Sequence, residues 1–88
     1  MITRHYKIYG RVQGVGFRKA TVSLAAKYDV TGTVANVEDF VEIFVAGNEQ
    51  TVEQFMKRIL KGPNVFAKVT SFEYETLDHR DYKQFTQV

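Results

Sequence analysis

Cysteine is absent from the chain, which excludes disulfides, thiolate nucleophiles and thiolate-bound metals. No apolar run is long enough to cross a bilayer, and the N-terminus lacks the hydrophobic stretch of a secretion signal. A soluble cytoplasmic protein, monomeric and without a membrane partner, is the expectation. No run of basic residues exceeds a pair such as Arg18-Lys19, and the formal net charge is only +2. That is not the dense basic stripe of a nucleic-acid binder but an ordinary mixed surface. Linkers, repeats and low-complexity segments are also missing, so residues 1–88 are read as one domain. What remains is 44% hydrophobic and 14% aromatic, enough for one core in a chain of this size but with little stability to spare.

The apolar pattern changes period along the chain. Tyr6 and Ile8 alternate with His5, Lys7 and Tyr9, a half-buried strand ending at Gly10. From Phe17 the steps lengthen to three and four residues through Ala20, Thr21, Leu24, Ala25 and Tyr28, one face of an amphipathic helix. Thr31–Asn36 and Phe40–Ala46 read as a hairpin, with Asn36-Val37-Glu38-Asp39 between them. Asn48 is a suitable N-cap for a second helix carrying Val52, Phe55, Met56, Ile59 and Leu60, and Gly62-Pro63 ends it. Val65–Thr76 is strand-like, with a break of alternation between Val69 and Phe72 that predicts a bulge. Tyr82–Val88 reads as a short terminal strand. The order is β-α-β-β-α-β plus that strand. This is the α+β, ferredoxin-like split βαβ arrangement, an antiparallel sheet with both helices on one face.

The chemistry concentrates in Gly10-Arg11-Val12-Gln13-Gly14-Val15-Gly16-Phe17-Arg18. Here a strand feeds a glycine-punctuated loop that opens into a helix. Gly14 and Gly16 can take positive φ, so the N–H groups of Gly14, Val15, Gly16 and Phe17 can converge on one anion at the helix N-terminus. Arg18 would add a planar fork matched to a phosphoryl group. On the residues alone, a tight strand-to-helix turn followed by a surface arginine accounts for the run equally well. Neither a Walker A loop nor a dinucleotide fingerprint fits the glycine spacing. Asn36, at the end of the second strand, reads by itself as a turn residue.

Val12-Gln13-Gly14-Val15-Gly16-Phe17-Arg18 resembles the phosphate loop and arginine of the acylphosphatase family, in the same place after the first strand. Gly32-Thr33-Val34-Ala35-Asn36 resembles that family's second signature, in matching order and separation. One stretch departs from the pattern: Asn36-Val37-Glu38-Asp39-Phe40 has no glycine in the hairpin turn and is shorter. The resemblance implies that the Gly14–Phe17 amides and Arg18 bind the phosphate of an acyl phosphate. It implies that the Asn36 side chain holds the attacking water, and that no cofactor is needed. The products would be a carboxylate and inorganic phosphate, and the phosphate would also act as a competitive ligand.

Other residues agree by default. His5 and His79 lack metal-ligand spacing, Ser23 and Ser71 sit in no nucleophile motif, and Glu38 and Asp39 read as turn residues. Two other classes remain open at this point. An RNA-recognition domain shares the element order and would use Phe40 and Phe44 as a stacking surface, against the opposing charge of Glu42. A phosphate- or carboxylate-sensing domain would keep the loop and drop turnover, which leaves Asn36 without a task.

Overall fold

The computed structural model describes residues 1–88. Five strands and two helices follow in the order β1 (Ile2–Arg11), α1 (Phe17–Ala25), β2 (Val30–Val37), β3 (Phe40–Gly47), α2 (Glu49–Leu60), β4 (Lys68–Leu77) and β5 (Phe85–Gln87). They form one sheet in the order β4-β1-β3-β2-β5. β1 lies antiparallel between β3 and β4, and β2 lies antiparallel to β3. This is the split βαβ fold expected from the periodicity, with one change at the edge. The terminal strand exists, and it runs parallel to β2, from Gly32↔Phe85 to Val34↔Gln87.

The reason is topological. β4 ends beside Thr3, at the end of the sheet far from the glycine loop. From there the chain crosses the open face of the sheet, where the Arg80 N–H donates to Thr3 Oγ1 at 2.8 Å and the Arg80 guanidinium lies over Phe44. A chain arriving at that end can only run back toward the loop, in the direction of β2. The crossing thereby delivers Val88 to the neighbourhood of Arg18.

Alternation decides the two faces. Tyr6 and Ile8 on β1, Val34 on β2, and Val41, Ile43 and Val45 on β3 are buried under the helices. α1 meets them with Phe17, Thr21 and Ala25, and α2 with Val52, Phe55, Met56 and Ile59. Burying each large aliphatic side chain contributes about 1.5–3 kcal/mol, so this single layer carries most of the hydrophobic stabilisation. Burial also pushes the Tyr6 phenol up from its ordinary pKa, with the neighbouring Arg4 pulling it back.

Local chemistry trims the elements relative to the periodicity. α1 stops at Ala25 because the Lys27 and Tyr28 amides fall back on Leu24 and Ala25 in tighter turns. Tyr28 still reaches the core, edge-on to Phe55. β4 begins at Lys68 rather than Val65, because Asn64 turns the chain through Phe66 and Ala67. Its bulge falls where the alternation broke: Tyr9 pairs with Ser71 and Gly10 with Val69, leaving Thr70 as the extra residue. The β2–β3 turn is Glu38-Asp39 alone, and Glu38 takes φ 50°, the conformation glycine would adopt more cheaply.

Candidate active site

The site forms where β1, α1, β2 and the end of β5 meet. Gly14 and Gly16 have φ of 74° and 75°, the left-handed region that glycine enters without a Cβ penalty. Gly16 is the residue before the first helical turn and has no side chain to cap it. None of the Gly14, Val15, Gly16 or Phe17 amides donates a hydrogen bond to another group of the protein. Orphan amides at a helix start carry the positive end of its dipole. Arg18 and Lys19 add two cations there, and the first turn contains no acidic residue.

A hollow of about 110 Å³ lies against this loop, lined by Val12, Gly14, Gly16, Phe17, Arg18, Lys19, Asn36 and Gln87. Larger hollows of about 270 to 620 Å³ occur elsewhere, but none of them borders the unpaired amides of the loop. Size is a poor guide for a group as small as a phosphate. Arg18 has no Asp or Glu partner, and its one hydrogen bond runs from Nη1 to the main-chain oxygen of Val88 at 3.1 Å.

Asn36 is not in the turn. It lies within β2 opposite Val41, on ordinary strand φ, so the turn explanation of this asparagine fails. Its side chain makes no hydrogen bond within the protein and faces the hollow. Gln13 ties loop and hairpin together, with Nε2 donating to the carbonyls of Glu38 at 3.0 Å and Phe40 at 2.9 Å. The short turn is therefore braced against the loop.

Gly14, Gly16, Phe17, Arg18 and Asn36 thus converge, as the sequence led one to expect. Val15 stands apart. It is half-buried against the core, and its carbonyl is turned outward to accept from Asn64 Nδ2 at 2.9 Å. Lys19 and Gln87 border the hollow without having been anticipated. Lys19 was visible as the neighbour of Arg18, but nothing in the sequence placed Gln87 there.

The open face of the sheet is a different environment. Phe44 is stacked on the His5 ring at 4.3 Å, and His5 Nε2 lies 2.8 Å from Glu42 Oε2. Glu73 and Glu75 pair across β1 with Lys7 and His5 on the same face. Three carboxylates with the aromatic rings already engaged make a poor platform for an RNA backbone.

Fold and site together define a class, a ferredoxin-like protein whose first strand-to-helix loop leaves its amides unpaired beside an arginine. A model of the acylphosphatase family matches residues 4–87. An acylphosphatase of Staphylococcus haemolyticus is 40% identical over 89 residues, covering 100% of both chains. The crystal structure of an acylphosphatase from Bacillus subtilis superposes with a TM-score of 0.88 at 32% identity, over 100% of this chain and 99% of that one. Full-length HypF in a phosphate- and nucleotide-bound form superposes with a TM-score of 0.91 at 32% identity, but this chain spans only 12% of that larger protein. The chain belongs to the acylphosphatase family, hydrolases of acyl phosphates.

Proposed function

We propose that the Gly14, Val15, Gly16 and Phe17 amides and the Arg18 guanidinium bind the phosphoryl group of a small acyl phosphate, and that Asn36 holds the attacking water. The observation that carries this reading is the convergence of unpaired amides, an arginine with no Asp or Glu partner and an asparagine without a protein hydrogen bond on one small hollow. Gly14, Gly16 and Asn36 are exposed, so water satisfies these groups in the free protein, and a phosphoryl group takes its place by meeting several preorganised donors at once.

An acyl phosphate already has a good leaving group. The work left to the protein is to neutralise the phosphoryl oxygens and place water in line with the departing carboxylate. Water attacks phosphorus, the bond from phosphorus to the carboxyl oxygen breaks, and the carboxylate leaves with the electron pair. Asparagine is not basic, so Asn36 orients the water, and a phosphoryl oxygen takes the proton. The hollow admits the phosphoryl head and leaves the acyl portion at its rim, which favours tolerance toward the acyl group. The phosphoryl charge is offset by amides and Arg18, so the reaction needs no metal. The same reading takes the enzyme to be a cytoplasmic monomer.

Hydrolysis of benzoyl phosphate, with and without a chelator and with inorganic phosphate as inhibitor, tests this. Chelator-insensitive turnover inhibited competitively by phosphate is the expected result. Phosphate binding without turnover would reduce the site to an anion receptor, and loss of turnover on chelation would bring a metal into the mechanism.

A further inference from the structure

We infer that Asn64, on the α2–β4 connection, is a positioning residue that locks the Val15–Gly16 peptide with its N–H turned into the anion hollow. The inference rests on the phosphate-binding reading above and adds a residue outside the loop to it.

The argument starts from one hydrogen bond. Asn64 Nδ2 donates to the Val15 carbonyl at 2.9 Å. In a trans peptide the C=O and the following N–H point in opposite directions, and the chain contains no cis peptide. Holding the Val15 oxygen toward Asn64 therefore turns the Gly16 N–H the other way, and Gly16 lines the hollow. This peptide needs holding, because glycine accepts either sign of φ and offers little resistance to a peptide flip. A flipped peptide would present a carbonyl oxygen, rather than a donor, to the phosphate.

Asn64 is itself fixed. Its Oδ1 accepts from the amides of Phe66 and Ala67, each at 3.0 Å, so exchanging the amide nitrogen and oxygen would break all its bonds at once. The connection is braced from α2, where Arg58 Nη1 donates to the Gly62 carbonyl at 2.7 Å. A rigid path therefore runs from the second helix through Asn64 to the loop on the first.

The test uses the full chain labelled with ¹⁵N, as wild type, Asn64→Ser and Asn64→Ala. Serine can keep an acceptor for the Phe66 and Ala67 amides but cannot reach Val15, so it separates the turn from the brace. Inorganic phosphate is titrated while the Gly16 amide resonance is followed, alongside Tm and benzoyl phosphate kinetics. Asn64→Ser is expected to weaken phosphate binding about five- to tenfold, the scale of one hydrogen bond. KM should rise more than kcat falls, with a smaller Gly16 response and a near-wild-type Tm. Asn64→Ala should show the same loss plus a lower Tm. Wild-type phosphate affinity and Gly16 response in Asn64→Ser would overturn the inference, whatever happens to Tm, and leave the binding reading intact. If phosphate moves none of the Gly14–Phe17 amides of the wild type, the binding reading fails and this inference with it.

Discussion

The two helices begin in opposite ways. α2 starts as helices usually do: Asn48 Oδ1 accepts from the Gln50 amide at 3.1 Å, and Glu49 sits in the first turn against the positive end of the dipole. Even the nearby cation is satisfied. Arg4, only 7% exposed, lies within 3.4 Å of Glu49 and 3.3 Å of Glu53 and stacks over Tyr74. α1 has none of this. Its cap position is a glycine, its first turn holds Arg18 and Lys19 instead of acids, and neither pairs with an Asp or Glu. One terminus is finished by the protein's own side chains, and the other is left uncapped. A helix start left open, with cations at its positive end, is the less stable arrangement, and on the proposed reading it serves binding rather than folding.

The largest test of that contrast is Arg18→Ala. It should lower kcat/KM for benzoyl phosphate by about 10³-fold, on the scale of losing a charged phosphoryl clamp. Stability should change by no more than about 0.5 kcal/mol, because the side chain is satisfied by a single main-chain oxygen. A large fall in stability with activity retained would move Arg18 to the structural side of the comparison.

Asn36→Ala comes next. A loss of about 10²–10³-fold in kcat is expected, as for one positioned polar group, with phosphate inhibition unchanged. Weakened phosphate inhibition with an unchanged kcat would mean that Asn36 serves binding instead of the water.

At the finished terminus the effects should fall on stability alone. Arg4→Ala removes a buried stem and two ion pairs, and a loss of about 1–3 kcal/mol is expected from urea unfolding, with normal kinetics. The carboxylates of Glu49 and Glu53 stay largely solvated, so no stranded buried charge adds to that figure. Asn48→Ala should cost about 1 kcal/mol, the usual worth of an N-cap, again without a kinetic effect. Reduced turnover in either variant would show that the two helix starts are coupled.

The sequence was informative where the signal is local. Alternation in Tyr6 and Ile8, the helical spacing after Phe17, the cap at Asn48 and the stop at Gly62-Pro63 depend on neighbours a few residues away, and each element formed close to where it was expected. Even the bulge near Thr70 left a trace in the broken alternation. The glycines of the loop belong to the same group, since positive φ is a property of the residue and its turn. The second half of the site was less legible. Asn36 looks like a turn residue in any window of sequence, and only the pairing with Val41 places it inside a strand with its side chain toward the loop. The parallel course of β5 was not legible at all. It follows from where β4 ends and which edge of the sheet is free, quantities that no local pattern encodes.

By itself the chain determined its elements, the layer that would be buried and the loop able to gather amides around an anion, because periodicity, capping and glycine conformation act over a few bonds. Only the tertiary structure decided which groups would be left without partners. Arg4 and Arg18 are the same residue type near two helix starts, and nothing in their neighbours says that one meets two glutamates while the other meets none. The Asn64 brace, 49 residues from the carbonyl it holds, is of the same kind. Satisfaction of a polar group depends on what folding brings within about 3 Å of it, and that distance is set by the whole sheet.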